Sequence, residues 1–167
     1  MFVPFQSLPD YSRIWIYQSN KKLDTQALAI LSETLKTFTE NWTVHGQPMH
    51  ASFDIRFDRF VILAANEGIN AASGCSIDSS VRTLKEIGHV LQLDFFDRSE
   101  VAFKDGADVL TLNIGTLKSS LSNGDWNGDT LMFHNLIAEK SQLEKGWLIP
   151  AKASWLKRYL PHETVAH

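Results

Sequence analysis

The side chains best placed to do chemistry lie in Ser73-Gly74-Cys75-Ser76-Ile77-Asp78, inside a run of small residues from Ala71 to Val81. Cys75 is the only cysteine of the chain. The run connects an apolar stretch, Phe60 to Ala65, with an amphipathic one expected to be helical from Ser79 to Leu91. A helix N-terminus presents N–H groups without intrahelical acceptors and a partial positive charge, so such a turn can hold an anion or favour a thiolate. Three readings follow. In the first, a binding or regulatory module holds a small anionic ligand with loop 66–78, through Glu67, Ser73, Gly74, Ser76 and Asp78. In the second, a thiol-dependent enzyme uses Cys75 as nucleophile and His45 as base, with Ser76 or backbone amides stabilising the anion. In the third, Cys75 is a buried, inert packing residue of a structural or interaction domain.

Spacing tests other chemistries. A phosphatase loop needs five residues between cysteine and arginine, whereas six separate Cys75 from Arg82, which falls inside the expected helix. His45 and His50 are separated by four residues, but Gly46 and Pro48 between them prevent a helix from aligning both on a metal. No metal and no cofactor is expected, and a histidine at a helix C-terminus is the better use of this segment. Asp94 and Asp97 fall on opposite faces of a regular strand, so they read as surface charge, with Arg98 and Glu100, rather than a catalytic pair. Trp126, Trp147 and Trp155 suit a core or a dimer interface better than a ligand groove. Lys145, Lys152, Lys157 and Arg158 read as a solvated face. The chain contains no Gly-x4-Gly-Lys-Ser/Thr, Gly-x-Gly-x-x-Gly, His-Glu-x-x-His, Cys-x-x-Cys or Gly-x-Ser-x-Gly.

The elements that must position these residues follow from hydrophobic periodicity. Arg13 to Gln18 reads as a strand. Asp24 caps a helix with Leu28, Leu31, Leu35, Phe38 and Trp42 on one face, ended by the turn Val44 to Pro48. Ala51, Phe53, Ile55 and Phe57 alternate with polar residues as a half-buried strand, and a tight turn at Asp58-Arg59 leads to the apolar strand Phe60 to Ala65. Val81, Leu84, Ile87 and Leu91 mark the second helix, capped by Ser76 or Asp78. Leu93 to Asp97 reads as a fourth strand. Beyond it, Leu110, Ile114, Leu117 and Leu121 suit a short helix, Thr130 to Ile137 a strand, and Pro150 to Tyr159 a last helix stopped by Pro161.

Four strings, Ser12-Arg13-Ile14-Trp15-Ile16-Tyr17-Gln18-Ser19, Trp42-Thr43-Val44-His45-Gly46, Ser73-Gly74-Cys75-Ser76-Ile77-Asp78 and Asp94-Phe95-Phe96-Asp97-Arg98, together resemble a family of small bacterial proteins sometimes labelled ABC-transporter ATPases. The resemblance spans most of the chain and implies a role for no particular residue. It does not imply ATP hydrolysis, because the phosphate-binding loop is missing.

The order strand, helix, strand, strand, helix, strand describes an α+β, ferredoxin-like βαββαβ two-layer sandwich with a C-terminal α/β extension. A single domain is expected, with its core at about 12–104 and the extension at about 105–161. At 167 residues the chain is long enough to bury a core without disulfides or metal. A net charge of -3 argues against broad nucleic-acid binding. One cysteine, no signal-like N-terminus and no apolar run of membrane-spanning length lead to the expectation of a cytoplasmic protein with no membrane partner, and a homodimer through the sheet or tryptophan surface.

Overall fold

Capping and alternation set the N-terminal half of the fold, seen in a computed structural model that describes residues 1–162. Strand β1 (Arg13–Gln18) leads to helix α1 (Thr25–Asn41), whose N-cap Asp24 accepts the Ala27 N–H at 2.8 Å. A small hairpin of β2 (Thr43–Val44) and β3 (Gln47–Pro48) follows. Then come β4 (Ala51–Arg56), β5 (Phe60–Ala65) and helix α2 (Gly74–Leu91). β5 is the centre of an antiparallel sheet ordered β1-β5-β4, with Leu63 opposite both Trp15 and Phe53. All six of its residues are buried, as the unbroken apolar run predicts.

Strand alternation divides that sheet into two faces. Trp15, Tyr17, Phe53, Ile55, Val61 and Leu63 share a core with Leu31 and Leu35 of α1 and Leu84 and Ile87 of α2. Trp42, Val44, Met49, Ala51 and Ala65 form a smaller cluster beside it.

The chain divides into two compact units: Met1–Asp97 together with Asn135–Lys145, and Arg98–His134 together with the chain from Gly146. The second unit is built on a four-stranded antiparallel sheet, ordered β7-β6-β8-β9, from β6 (Glu100–Asp105), β7 (Asp108–Asn113), β8 (Leu131–Phe133) and β9 (Leu148–Pro150). Helix α3 (Leu117–Ser122) contributes Leu117 to a core with Phe103, Trp126, Met132 and Leu156. Among the described residues no helix is long and apolar enough to cross a membrane.

The α+β class holds, with its strands in antiparallel sheets. Several expected elements are corrected. Residues 93–97 form no strand; Asp94 instead exchanges hydrogen bonds with Asn20 and accepts the Phe96 N–H in a local turn. The free edge of β1 is met by a distant segment, since Ile14 N–H donates to Ala138 C=O at 2.9 Å and Lys140 N–H to Ser12 C=O at 2.8 Å. Leu110 lies in β7, not in a helix, because Gly106 at φ +60° turns β6 back in a two-residue hairpin. The strand expected over Thr130 to Ile137 is three residues long, and the last helix is two short 3-10 turns separated by Ser154. The β4–β5 connection is Phe57-Asp58-Arg59, with Phe57 and Asp58 at φ +56° and +51°. It is anchored where Leu23 and Ser19 donate to its carbonyls.

Candidate functional site

Helix α2 begins five residues earlier than expected, and this relocates Cys75. Ser73 is its N-cap: the Ser73 hydroxyl accepts the Ser76 N–H at 3.2 Å, and Ser76 Oγ accepts the Ser73 N–H at 2.7 Å. This reciprocal capping box closes the first turn without Ser76 or Asp78 as cap. Cys75 therefore stands in that turn, and it is exposed. The buried, turn-packing role is corrected, because a residue at this position points off a helix surface rather than into a loop.

One hydrogen bond sets the register of the two helices. Trp42, buried just after α1, donates its indole N–H to the Ser76 carbonyl at 2.8 Å. Its ring packs on Phe38 and Trp15 at centroid distances of 5.0 and 5.6 Å. The C-terminal end of α1 is thus clamped to the first turn of α2, and from this clamp an open groove of about 950 Å³ runs between the helices. Cys75, Ser79, Arg82 and Glu86 form its α2 wall and Glu33, Thr37 and Asn41 its α1 wall, with Phe38 and Thr43 between. The volume falls in the range of small-molecule sites.

His45 also lines the groove. It does not cap α1; it occupies the first central position of the β2–β3 hairpin at φ +50°, followed by Gly46 at φ +75°. Two consecutive positive φ angles define a primed turn, whose twist matches the flanking strands. Cys75 and His45 thus share one cavity, and no hydrogen bond joins them. Ser73 and Ser76 reach the groove, but their hydroxyls are engaged in the capping box.

The remaining predicted residues stand elsewhere. Glu67 closes its own loop, accepting the Ala72 N–H at 2.8 Å and facing Arg13 at 3.7 Å. Asn70 donates to the Pro48 carbonyl and Asn66 N–H to the His50 carbonyl, so loop 66–72 is tied to the end of the β2–β3 hairpin. Gly74, Asp78 and His50 are not part of the groove wall. Sequence alone singles out neither Glu33 nor Glu86, and Arg82 only as the arginine of a phosphatase loop that spacing excludes. None of the three side chains makes an ion pair or hydrogen bond among the described residues. Arg82 and Glu86 fall with Cys75 and Ser79 on one stripe of α2, and Glu33 with Thr37 and Asn41 on one stripe of α1.

Among the described residues no group of three His, Cys, Asp or Glu side chains could hold a metal ion. Two of the three tryptophans weighed for a surface are core residues: Trp126 stacks on Phe103 at 5.4 Å and donates to Leu117 C=O, and Trp147 packs on Phe133 at 5.0 Å. Only Trp155 of the three is exposed. Tyr17, under α2, has its phenol raised above the usual 10.0 by burial, against a hydrogen bond with Ser80 that lowers it. Compared with known proteins, the chain matches no family model, no curated protein and no solved structure.

Proposed function

We propose that the N-terminal unit is a small-ligand-binding module, a three-stranded variant of the ferredoxin-like sandwich, whose site is the groove between α1 and α2 rather than loop 66–78. The observation that carries this reading is Arg82, a guanidinium in the wall of a ligand-sized cavity with no protein partner among the described residues. Such a group offers two parallel N–H donors to a carboxylate or phosphate. The two helix dipoles oppose one another at the clamp, because the carbonyl end of α1 faces the N–H end of α2 there. The anion seat therefore rests on Arg82 more than on the α2 terminus.

Nuclear magnetic resonance titration with hexanoate and with inorganic phosphate tests this. Amide shifts confined to residues of the groove wall, lost in Arg82→Gln, support the reading. Absence of such shifts, or shifts equal in Arg82→Gln, overturns it. A second reading, thiol catalysis, is favoured by the convergence of Cys75 and His45 on the same cavity. Cys75→Ser decides between them for any turnover detected: an enzyme loses it, whereas a binding module keeps its affinity.

A further inference from the structure

The groove carries charge of both signs at different depths, and the Trp42–Ser76 clamp fixes where each lies. Glu33 is nine residues before Trp42 on α1, and Glu86 is ten residues after Ser76 on α2. At the helical rise these separations are about 14 and 15 Å along the respective helices, so both carboxylates belong to the end of the groove away from the clamp. Arg82 lies one turn closer to the clamp, about 6 Å from Glu86 along the axis. Phe38 supplies an apolar surface to the wall between the helices. None of the three charges is neutralised by an ion pair among the described residues.

From this arrangement we infer that the groove selects linear zwitterions, with the carboxylate or phosphate on Arg82, an ammonium between Glu33 and Glu86, and a short aliphatic chain against Phe38. The inference rests on the binding reading given above and names its ligand class. A plain anion keeps its contact with Arg82 but has two negative side chains beyond it, so it is held more weakly than a zwitterion. An added ammonium turns both carboxylates from repulsive to attractive groups. The axial offset favours a spacer: the two charges of an α-amino acid lie side by side, while about five methylenes cover the offset of one helical turn between Arg82 and Glu86.

The test is a titration of the intact protein with glycine, 6-aminohexanoate, 12-aminododecanoate and hexanoate, followed by groove amide shifts. The expected result is that 6-aminohexanoate binds tightest, about fivefold or more above hexanoate. Glu33→Gln/Glu86→Gln, two exposed positions, should remove that advantage, and Arg82→Gln should weaken both ligands. If hexanoate binds as well as 6-aminohexanoate, or if the double variant keeps the preference, the zwitterion inference is overturned while the binding reading stands. If neither ligand shifts the groove amides, both are overturned.

Discussion

Gly88 shows how one residue can reverse a propensity rule. It lies inside α2, where alanine is ordinarily better by about 1 kcal/mol. A Cβ at this position would stand 2.6 Å from the Leu93 carbonyl oxygen and 3.6 Å from the Phe95 ring. That carbonyl belongs to backbone held by the Leu93 N–H to Gly88 C=O bond of 2.8 Å, so it has little room to withdraw. Gly88→Ala is expected to lower stability by about 1–3 kcal/mol in urea unfolding; a gain would show that the turn after α2 adapts freely. Tyr17 makes a prediction in pH. Its folded phenol binds its proton more tightly than the usual 10.0, so below pH 10.0 both states are protonated and the full stabilisation is present. As pH rises further, the unfolded chain loses its proton first, and stability falls until the folded phenol ionises as well. The urea midpoint should therefore drop more steeply above pH 10.0 in the native protein than in Tyr17→Phe. Equal slopes would mean that Tyr17 is hydrated in solution.

At the scale of elements, caps were readable where the polar residue stood immediately before an apolar stripe, as at Asp24. The start of α2 was not, because Gly74, Cys75 and Ser76 are poor helix formers and their composition suggests a turn. What overrides propensity there is the pairing of Ser73 and Ser76 three residues apart. Ser73→Ala removes the acceptor for the Ser76 N–H and should cost about 1 kcal/mol. Loss of amide protection confined to the first turn of α2 would check it; unchanged exchange would show that the Trp42 clamp alone holds that end. The β6–β7 hairpin carried its own signal in Asp105-Gly106, flanked by alternating Val101, Phe103, Val109 and Thr111. Helical spacing of Leu110, Ile114, Leu117 and Leu121 competed with it; the last two lie in α3 and Ile114 in the 3-10 turn before it, while Leu110 lies in β7. The groove walls were illegible for another reason. Cys75, Ser79, Arg82 and Glu86 form a polar stripe, as do Glu33, Thr37 and Asn41, and each alone resembles any solvated helix face. A single hydrogen bond between elements, from Trp42 to Ser76, decides that they oppose one another.

At the scale of the whole molecule, the α+β class follows from the alternating and 3.6-residue patterns, but the return of Asn135–Lys145 to the first unit does not. That segment meets β1 through backbone groups, which leave no trace in side-chain periodicity. Its effect is to cover a strand edge that would otherwise present unpaired N–H and C=O groups. Lys140 makes the dependence testable. Its N–H donates to Ser12 C=O, while its ammonium donates to Leu8 C=O at 2.6 Å and sits over the Phe5 ring at 5.4 Å. Lys140→Ala removes the side-chain contacts and keeps the backbone donor. Lys140→Pro removes both, so the difference between the two variants isolates the edge contact. Lys140→Pro is expected to be less stable than Lys140→Ala by about 1–3 kcal/mol, the cost of leaving a buried acceptor unpaired. It should also associate at concentrations where Lys140→Ala stays monodisperse, since the uncovered β1 edge can pair with another chain. Equal stability and equal light scattering would place the Lys140 bond outside the cooperative core. A loss of protection at Ile14 in the proline variant alone would show that one backbone bond, across more than a hundred residues of sequence, closes the first unit's sheet.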